Sequence, residues 1–230
     1  MSLFYTQNIE KDILVLEGDE ARHCIKVLRK KVGEFVDVID GRGNWYTSKI
    51  NSIEKDLLIC TILQTQKKIV YHPNHHIAIA PTKNADRIEW FVEKAVEIGV
   101  GGIHFIQSKR TERTNLNMNR MQKIVISAMK QSKNIHQPII EAPKRLDEIL
   151  RLHVVGDKFI AHLNDTSTQL VQIPKISANS ILLIGPEGDF TSEEVDLCKS
   201  AGYKELSLGD AVLRTETAGI FGLITMNLKS

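Results

Sequence analysis

Apolar residues follow two different spacings along the 230-residue chain. Up to about residue 70 they form short runs rich in β-branched and aromatic side chains, as strands do. From residue 77 onward, continuous apolar runs typical of buried strands alternate with segments whose apolar residues recur at helical spacing. This change predicts a small β domain followed by an α/β domain, in which helices cover a parallel sheet.

The first predicted domain occupies residues 1–70. Its strand-like runs are LFYT, ILVL, EFVDVID, NWYTSKI and LLICTIL, and one helix is predicted over about 19–29. The sequence Asp40-Gly41-Arg42-Gly43 predicts a hairpin turn, because glycine tolerates the positive φ of such turns. Short strands with one helix indicate a small barrel domain of a kind that often binds RNA.

A polar linker is predicted over 71–76. It contains His72, His75 and His76, which we expect to be solvated, since neither a cysteine nor a fourth ligand accompanies them at a metal-binding spacing. No metal site is therefore predicted.

The second predicted domain occupies residues 77–230. Strands are predicted over 77–80, 102–107, 159–163, 181–185 and 205–208. Helices are predicted over 85–98, 117–133 and 215–227, and another between a capping box at Thr191–Glu194 and Gly202.

Composition is that of an ordinary globular protein, with 42% hydrophobic and 25% charged residues. No stretch approaches the ~18 apolar residues of a membrane helix. The first residues lack the basic start and apolar run of a signal peptide, so a cytoplasmic protein is expected. Three cysteines, far apart and without a CxxC pair, predict free thiols.

Charge is unevenly distributed, although the net charge is only +2. One zone contains bases and no acid, namely Arg22, Lys26, Arg29, Lys30 and Lys31. A second basic zone extends over 107–145. The two zones indicate either a footprint for a polyanion such as nucleic acid or two solvated helix faces.

Three loops that follow predicted strands carry the candidate chemistry. They are HLND, GPEGDF and LGDAVLRTETAG. Open α/β sheets bind ligands beyond the carboxyl ends of their strands. Gly185, Gly188 and Gly209 remove side chains where a ligand would touch the backbone, and the neighbouring apolar residues Leu208, Val212 and Leu213 supply walls.

The absence of two phosphate-binding motifs argues against ligands that carry phosphate groups. The chain has no GxxxxGK[ST] and no GxGxxG after the first strand, so ATP and NAD are poor candidates. An adenosine ligand without phosphate, S-adenosylmethionine, fits better. An ordinary tight turn also explains the Gly-Pro-x-Gly sequence by itself.

The motifs LLIGPEGDFTSEEV and LSLGDAVLRTETAG resemble those of the RsmE family of 16S ribosomal RNA uridine-N3 methyltransferases, in the SPOUT superfamily. The segments at 23–46 and 80–100 are also similar to that family. The resemblance implies a PUA-like β-barrel domain followed by an α/β SPOUT domain with a C-terminal trefoil knot. It also implies S-adenosylmethionine as methyl donor, uridine 1498 of 16S ribosomal RNA as target, and a homodimer with active sites at the subunit interface.

The resemblance and the loop chemistry together give a set of candidate site residues. The cofactor candidates are Leu163, Ile184, Gly185, Glu187, Gly188, Leu208, Gly209, Val212, Leu213, Thr217 and Ala218. The RNA-binding candidates are Arg22, His23, Lys26, Arg29, Lys30 and Lys31. The first catalytic candidate is Arg214. Arg110, reaching across from the partner subunit, is the second, and Glu216 is the third. A salt bridge of Arg214 to Glu187 or Glu216 is the alternative for Arg214.

The chain departs from the family pattern at three places. Asp189 replaces a second glycine, Ala211 replaces an arginine, and Lys130–Asn134 differs from the usual Glu-Gln and arginine helix motif. Two other functions therefore stay open. One is a SPOUT methyltransferase that acts on ribose or on another RNA position, and the other is a non-catalytic RNA-binding factor of ribosome assembly.

Overall fold

The computed structural model describes residues 2–67, 74–152, 155–162 and 168–230. The chain forms two compact units. The first contains Met1–Tyr71 together with Ile126–Gln137, and the second contains His72–Val125 and Pro138–Ser230. The domain bounds 1–70 and 77–230 stay a prediction; the segment 126–137, which lies within the second predicted domain, is grouped with the first unit.

The first unit contains a six-stranded sheet in the order β1-β4-β5-β6-β3-β2. Its strands are β1 (Leu3–Tyr5), β2 (Ile9–Glu10), β3 (Ile13–Glu17), β4 (Phe35–Ile39), β5 (Asn44–Glu54) and β6 (Leu57–Lys67). All neighbours pair antiparallel except β1 and β4. The five predicted strands are confirmed, and the short β2 is an addition.

The single helix predicted over 19–29 has a different form. It consists of α1 (Gly18–Arg22) and a π-helical turn (His23–Val27). Arg29 has a φ of 55°, a left-handed conformation that cannot continue a helix. Ala21 and Cys24 pack from this segment into the core of the sheet.

The second unit contains an all-parallel sheet, which confirms the predicted parallel arrangement. Its strand order is β12-β10-β11-β7-β8-β9. Its strands are β7 (Asn74–Ile79), β8 (Gly102–Gln107), β9 (Ile139–Arg145), β10 (Asp157–Ala161), β11 (Asn179–Ile184) and β12 (Lys204–Leu206). Its helices are α2 (Ala85–Ile98), the start of α3 (Met118–Ser132), α4 (Leu146–Leu150), α5 (Ser192–Ser200) and α6 (Thr215–Lys229). A 3₁₀ turn lies at Leu170–Gln172.

Helices cover both faces of this sheet. On one face α4 and α5 bury Leu146, Ile149, Val195 and Cys198 against strand residues such as Ile181. On the other face α6 packs against α2 and β7. The predicted capping box of α5 is confirmed, because the Thr191 hydroxyl accepts the Glu194 N–H and the Glu194 carboxylate accepts the Thr191 N–H.

The histidines of the predicted linker correct the sequence interpretation. Because β7 begins at Asn74, both His75 and His76 are buried strand residues rather than solvated ones. His76 Nδ1 lies 2.8 Å from His104 Nε2, and His104 Nδ1 lies 3.0 Å from a Glu141 oxygen. Burial lowers the pKa of His75 and of His76 to about 4, so both rings are neutral at pH 7. His72 lies outside the described residues.

The three cysteines are free and buried. Burial raises the pKa of the Cys60 thiol and of the Cys198 thiol to about 12. Across the described ranges, no helix has the length and apolarity needed to cross a membrane. The same ranges contain no group of three or more histidine, cysteine, aspartate or glutamate side chains arranged to hold a metal ion.

Candidate functional site

A cleft of about 260 Å³ lies at the carboxyl ends of the parallel strands. β10 lies between β11 and β12, so the carboxyl ends of these three parallel strands are adjacent at this edge of the sheet. The lining residues are Ala161, His162, Ile184, Gly185, Pro186, Glu187, Asp189, Ser207, Leu208, Gly209, Ala211, Val212, Leu213, Arg214, Thr215 and Ala218. The candidate loops GPEGDF and LGDAVLRTETAG therefore converge on one cleft, together with His162, the one described residue of HLND.

Most of the predicted cofactor residues line the cleft. They are Ile184, Gly185, Glu187, Leu208, Gly209, Val212, Leu213 and Ala218. Gly188 and Thr217 are not among the residues that line it. The Gly188 carbonyl accepts a hydrogen bond from Arg110, and Thr217 is exposed on α6. Leu163 lies outside the described residues.

Other lining residues were missed by the sequence interpretation. They are Ala161, His162, Pro186, Asp189, Ser207, Ala211 and Thr215. Most lie inside the quoted loops, so a rule that takes every residue of such a loop would have found them. Ala161 ends β10 and Ser207 directly precedes the LGDAVLRTETAG loop, so for these two the available signal was position at a strand end.

One wall of the cleft is the tight turn that follows β11. Asp189 donates its N–H to the Pro186 carbonyl at 2.9 Å, which closes the turn. A Cβ added to Gly185 would lie 3.1 Å from a ring carbon of Phe190, so the turn leaves little space for any side chain at this position. The glycine is thus explained by close packing of the turn.

The opposite wall is the segment from Ser207 to Thr215. Gly209 has a φ of 121°, which L side chains rarely adopt, and its N–H donates to the Ser207 hydroxyl at 3.2 Å. Val212 is 78% exposed, so an apolar side chain faces the opening of the cleft. The Thr215 hydroxyl donates to the Gly185 carbonyl at 3.2 Å and joins the two walls.

The loop after β8 supports the turn from outside. Arg110 donates from Nη1 to the Gly188 carbonyl, within the same chain. Glu187 accepts the backbone N–H of Lys83 at 3.2 Å, which fixes its carboxylate toward the start of α2. The backbone N–H of Lys109 donates to Glu194 at 2.8 Å. The bonds to Gly188 and Glu187 connect the Pro186–Asp189 turn to two neighbouring loops.

The catalytic candidates occupy different environments. Arg214 is exposed at the start of α6 and lines the cleft. Among the residues that the structure describes, its guanidinium forms no ion pair, so the alternative salt bridge to Glu187 or Glu216 is not observed. Glu216 is buried away from the cleft, with its carboxylate 3.8 Å from Nε of Arg87. Arg110 reaches the turn from its own chain.

The first unit carries the predicted RNA-binding residues. Arg22, His23, Lys26, Arg29 and Lys31 are exposed, and Lys30 is half-buried. Several are in ion pairs with side chains of the same surface, such as Arg22 with Asp19 at 2.8 Å and Lys30 with Glu34 at 3.3 Å. The surface is therefore partly neutralised by its own acids.

Lys130, one of the departures from the family pattern, has a structural partner. Its ammonium lies 2.5 Å from Glu20 of α1, and both side chains are mostly buried. The other carboxylate oxygen of Glu20 accepts the N–H of Tyr5. The pair attaches the end of α3 to the sheet of the first unit.

Family models match both parts of the chain. The description "RNA methyltransferase domain" matches residues 71–227, and "RNA methyltransferase PUA domain" matches residues 16–63. The ribosomal RNA small subunit methyltransferase E of Buchnera aphidicola subsp. Acyrthosiphon pisum is 30% identical over 223 residues, which cover 91% of this chain and 85% of that protein.

Solved structures share the whole fold. A probable rRNA-methyltransferase from Porphyromonas gingivalis has a TM-score of 0.90 and 32% identity, over 99% of both chains. A ribosomal RNA small subunit methyltransferase E from Neisseria gonorrhoeae, bound to S-adenosyl methionine, has a TM-score of 0.88 and 27% identity, over 99% of this chain and 97% of that one. The predicted fold class, a PUA-like domain followed by a SPOUT-type α/β domain, is confirmed, and the trefoil knot stays a prediction.

Proposed function

We propose, from the premise that this chain belongs to the RsmE family of ribosomal RNA small subunit methyltransferases, that it methylates N3 of a uridine, U1498 in the standard numbering of 16S ribosomal RNA. The methyl donor in this proposal is S-adenosylmethionine. The observation that carries it is the cleft at three adjacent strand ends, with glycines in both walls and Arg214 at its edge.

The residues of the cleft fit this donor better than a nucleotide phosphate. Backbone groups around Gly185 and Gly209 stand where a ligand edge would lie, and Leu208, Val212 and Leu213 offer apolar surface for an adenine ring. Arg214 is the one permanently charged cation among the described lining residues, too few for a triphosphate. The Neisseria relative that is bound to S-adenosyl methionine supports the same assignment.

The chemistry requires a uracil that has lost its N3 proton. When bound, the donor supplies a methyl group on a positively charged sulfur. N3 attacks that methyl, the C–S bond breaks, and S-adenosylhomocysteine and 3-methyluridine result. The planar guanidinium of Arg214 is suited to stabilise the negative charge on the uracil oxygens while N3 is deprotonated.

The other candidates receive different roles. Arg110 uses one N–H on the Gly188 carbonyl, so it supports the cofactor turn and is second choice for a contact to RNA. Glu216 is assigned no proton transfer, because its carboxylate is buried near Arg87. The N3 proton therefore goes to solvent in this proposal.

The RNA partner is assigned to the basic zone of the first unit. Exposed Arg22, Lys26, Arg29 and Lys31 provide cations for phosphates, and a small β domain of this type commonly contacts RNA. The target base has to leave its stack to reach the cleft. The proposed substrate implies a cytoplasmic enzyme, since ribosomes are assembled there.

A homodimer is part of the proposal. Its support is apolar side chains that remain exposed on the packed helices α2 and α6, namely Trp90, Ile224 and Leu228 at 45%, 42% and 79% exposure. Such side chains are typical of protein interfaces when they lie together. Sedimentation of the wild type and of Leu228→Arg tests it, with a dimer expected for the first and a monomer for the second.

The function is tested on small ribosomal subunits that lack the modification, with isotopically labelled S-adenosylmethionine and mass spectrometry of the nucleosides. One 3-methyluridine per subunit is expected. Arg214→Ala should lower kcat by about 10²–10³ while the dissociation constant of the cofactor stays the same. Arg151→Ala is the control, because it removes an exposed arginine at the end of α4 that does not line the cleft.

Other outcomes lead to other functions. Methylation on ribose or on another base would identify a different RNA methyltransferase. Binding of RNA without binding of S-adenosylmethionine would indicate a non-catalytic assembly factor.

A further inference from the structure

Asp189 places a carboxylate in the cleft. It is half-buried, lines the cleft together with Gly185 and Pro186, and its Oδ1 would lie 3.3 Å from a Cβ built on Gly185. The same oxygen accepts the N–H of Phe190 at 2.7 Å. The carboxylate is thus held at a defined position on the wall, close to the end of β11.

The backbone of Asp189 is in the left-handed region, with a φ of 62°. Glycine adopts this conformation at no steric cost, whereas a residue with a Cβ is strained there, although aspartate is tolerated better than most. A side chain retained at such a position must offset that cost. Its hydrogen bond to the Phe190 N–H offsets part of this cost. A contact with a ligand in the cleft would offset more of it.

We propose that Asp189 binds a positive charge of S-adenosylmethionine and thereby makes the cleft selective for the charged methyl donor. This inference rests on the proposed function. The donor carries two positive groups, the sulfonium and the amino-acid ammonium, and a carboxylate is the complement of either.

The surroundings strengthen such a contact. Apolar residues of the cleft, such as the buried Ile184, reduce the local screening by water, so opposite charges attract more strongly than at an open surface. Arg214 also lines the cleft, where the proposed function assigns it to the uracil of the RNA.

Calorimetric titration with three ligands shows whether Asp189 contacts the sulfonium or the ammonium of the donor. S-adenosylmethionine carries the sulfonium and the ammonium, S-adenosylhomocysteine carries the ammonium alone, and 5′-methylthioadenosine carries neither. Each is titrated into the wild type, Asp189→Asn and Asp189→Gly. Asparagine keeps the shape, the tolerance for positive φ and an oxygen for the Phe190 N–H, and removes only the charge.

We expect Asp189→Asn to weaken S-adenosylmethionine binding about ten- to a hundredfold, as for other bonds to charged groups, and to leave 5′-methylthioadenosine binding unchanged. An equal loss for S-adenosylhomocysteine assigns the contact to the ammonium, and a loss for S-adenosylmethionine alone assigns it to the sulfonium. Asp189→Gly should show the same loss with undiminished thermal stability.

Two results would overturn the inference. The first is unchanged affinity of Asp189→Asn for S-adenosylmethionine. The second is an equal loss for all three ligands, which would limit Asp189 to shaping the turn. A wild type that binds none of the three would instead contradict the proposed function.

Discussion

The hydroxyl of Thr215 donates a hydrogen bond of 3.2 Å to the carbonyl oxygen of Gly185. Thr215 begins α6 and Gly185 directly follows β11, so this one bond joins the two walls of the cleft. Both residues are buried, and water is therefore a poor substitute for either partner.

Replacement of Thr215 by valine removes this bond without changing the volume of the side chain. We expect the free energy of unfolding to fall by about 1–3 kcal/mol, because the Gly185 carbonyl loses its donor in a buried position. Affinity for S-adenosylmethionine should fall as well, since the walls are no longer held together. Chemical denaturation and calorimetry measure the two effects, and Thr215→Ser should behave as the wild type. A valine variant with both properties intact would show that the walls are held by packing alone.

Arg29 combines a strained backbone with an exposed charge in the basic zone. Arg29→Gly relieves the left-handed strain, so the free energy of unfolding should be unchanged or raised by up to about 1 kcal/mol. RNA affinity should nevertheless fall, and the slope of log K against log salt should decrease by about 0.7–0.9 if one phosphate contact is lost. Filter binding over a range of salt concentrations measures both quantities.

Lys55 supplies a matched control for this variant. Its φ of 51° is nearly the same as that of Arg29, and it lies outside the predicted RNA-binding set. Lys55→Gly should have the same effect on stability and leave RNA affinity unchanged. Equal losses of affinity in the two variants would mean that the basic zone has no specific role.

The ion pair between Lys130 and Glu20 should contribute to the stability of the first unit. A double-mutant cycle with Lys130→Met and Glu20→Gln is expected to give a coupling energy of about 1–3 kcal/mol, because the side chains are only 24% and 18% exposed. The exposed pair Lys83 and Glu112, at 76% and 64%, should give less than about 1 kcal/mol. Similar coupling energies for the two pairs would contradict this difference in burial.

His76 should make stability depend on pH. Burial lowers its pKa from 6.5 to about 4, so between these values the unfolded chain binds a proton that the folded chain does not. Its contribution is fully present above pH 6.5 and is lost as the pH falls from 6.5 to 4, by up to about 3 kcal/mol.

The free energy of unfolding is measured for the wild type and for His76→Gln at several pH values in this range. The difference between the two proteins is then taken, because the contributions of other titrating groups largely cancel in it. That difference should decrease as the pH falls from 6.5 to 4. A difference that is constant with pH would contradict a depressed pKa of His76.

The sequence by itself determined the elements with strong local signals. The periodic apolar face of α2 and the capping box of α5 depend on neighbours within a few residues, so they are readable along the chain. Continuous apolar runs likewise predicted β10 and β11 and the parallel sheet. Glycines at the strand ends then located the two main walls of the cleft, because strands of a parallel sheet finish at a common edge.

Tertiary structure alone decided the rest. The strand β9 carries a proline and mostly half-exposed residues, and its position depends on pairing with β8. The end of α3 belongs to the first unit because of contacts such as Lys130 with Glu20, more than a hundred residues apart. Glu216 follows Arg214 by two positions, yet its carboxylate lies near Arg87 while Arg214 lines the cleft. The direction of a side chain and the burial of a histidine depend on elements that come together from distant parts of the chain. The local spacing of residues contains no information about those distant neighbours.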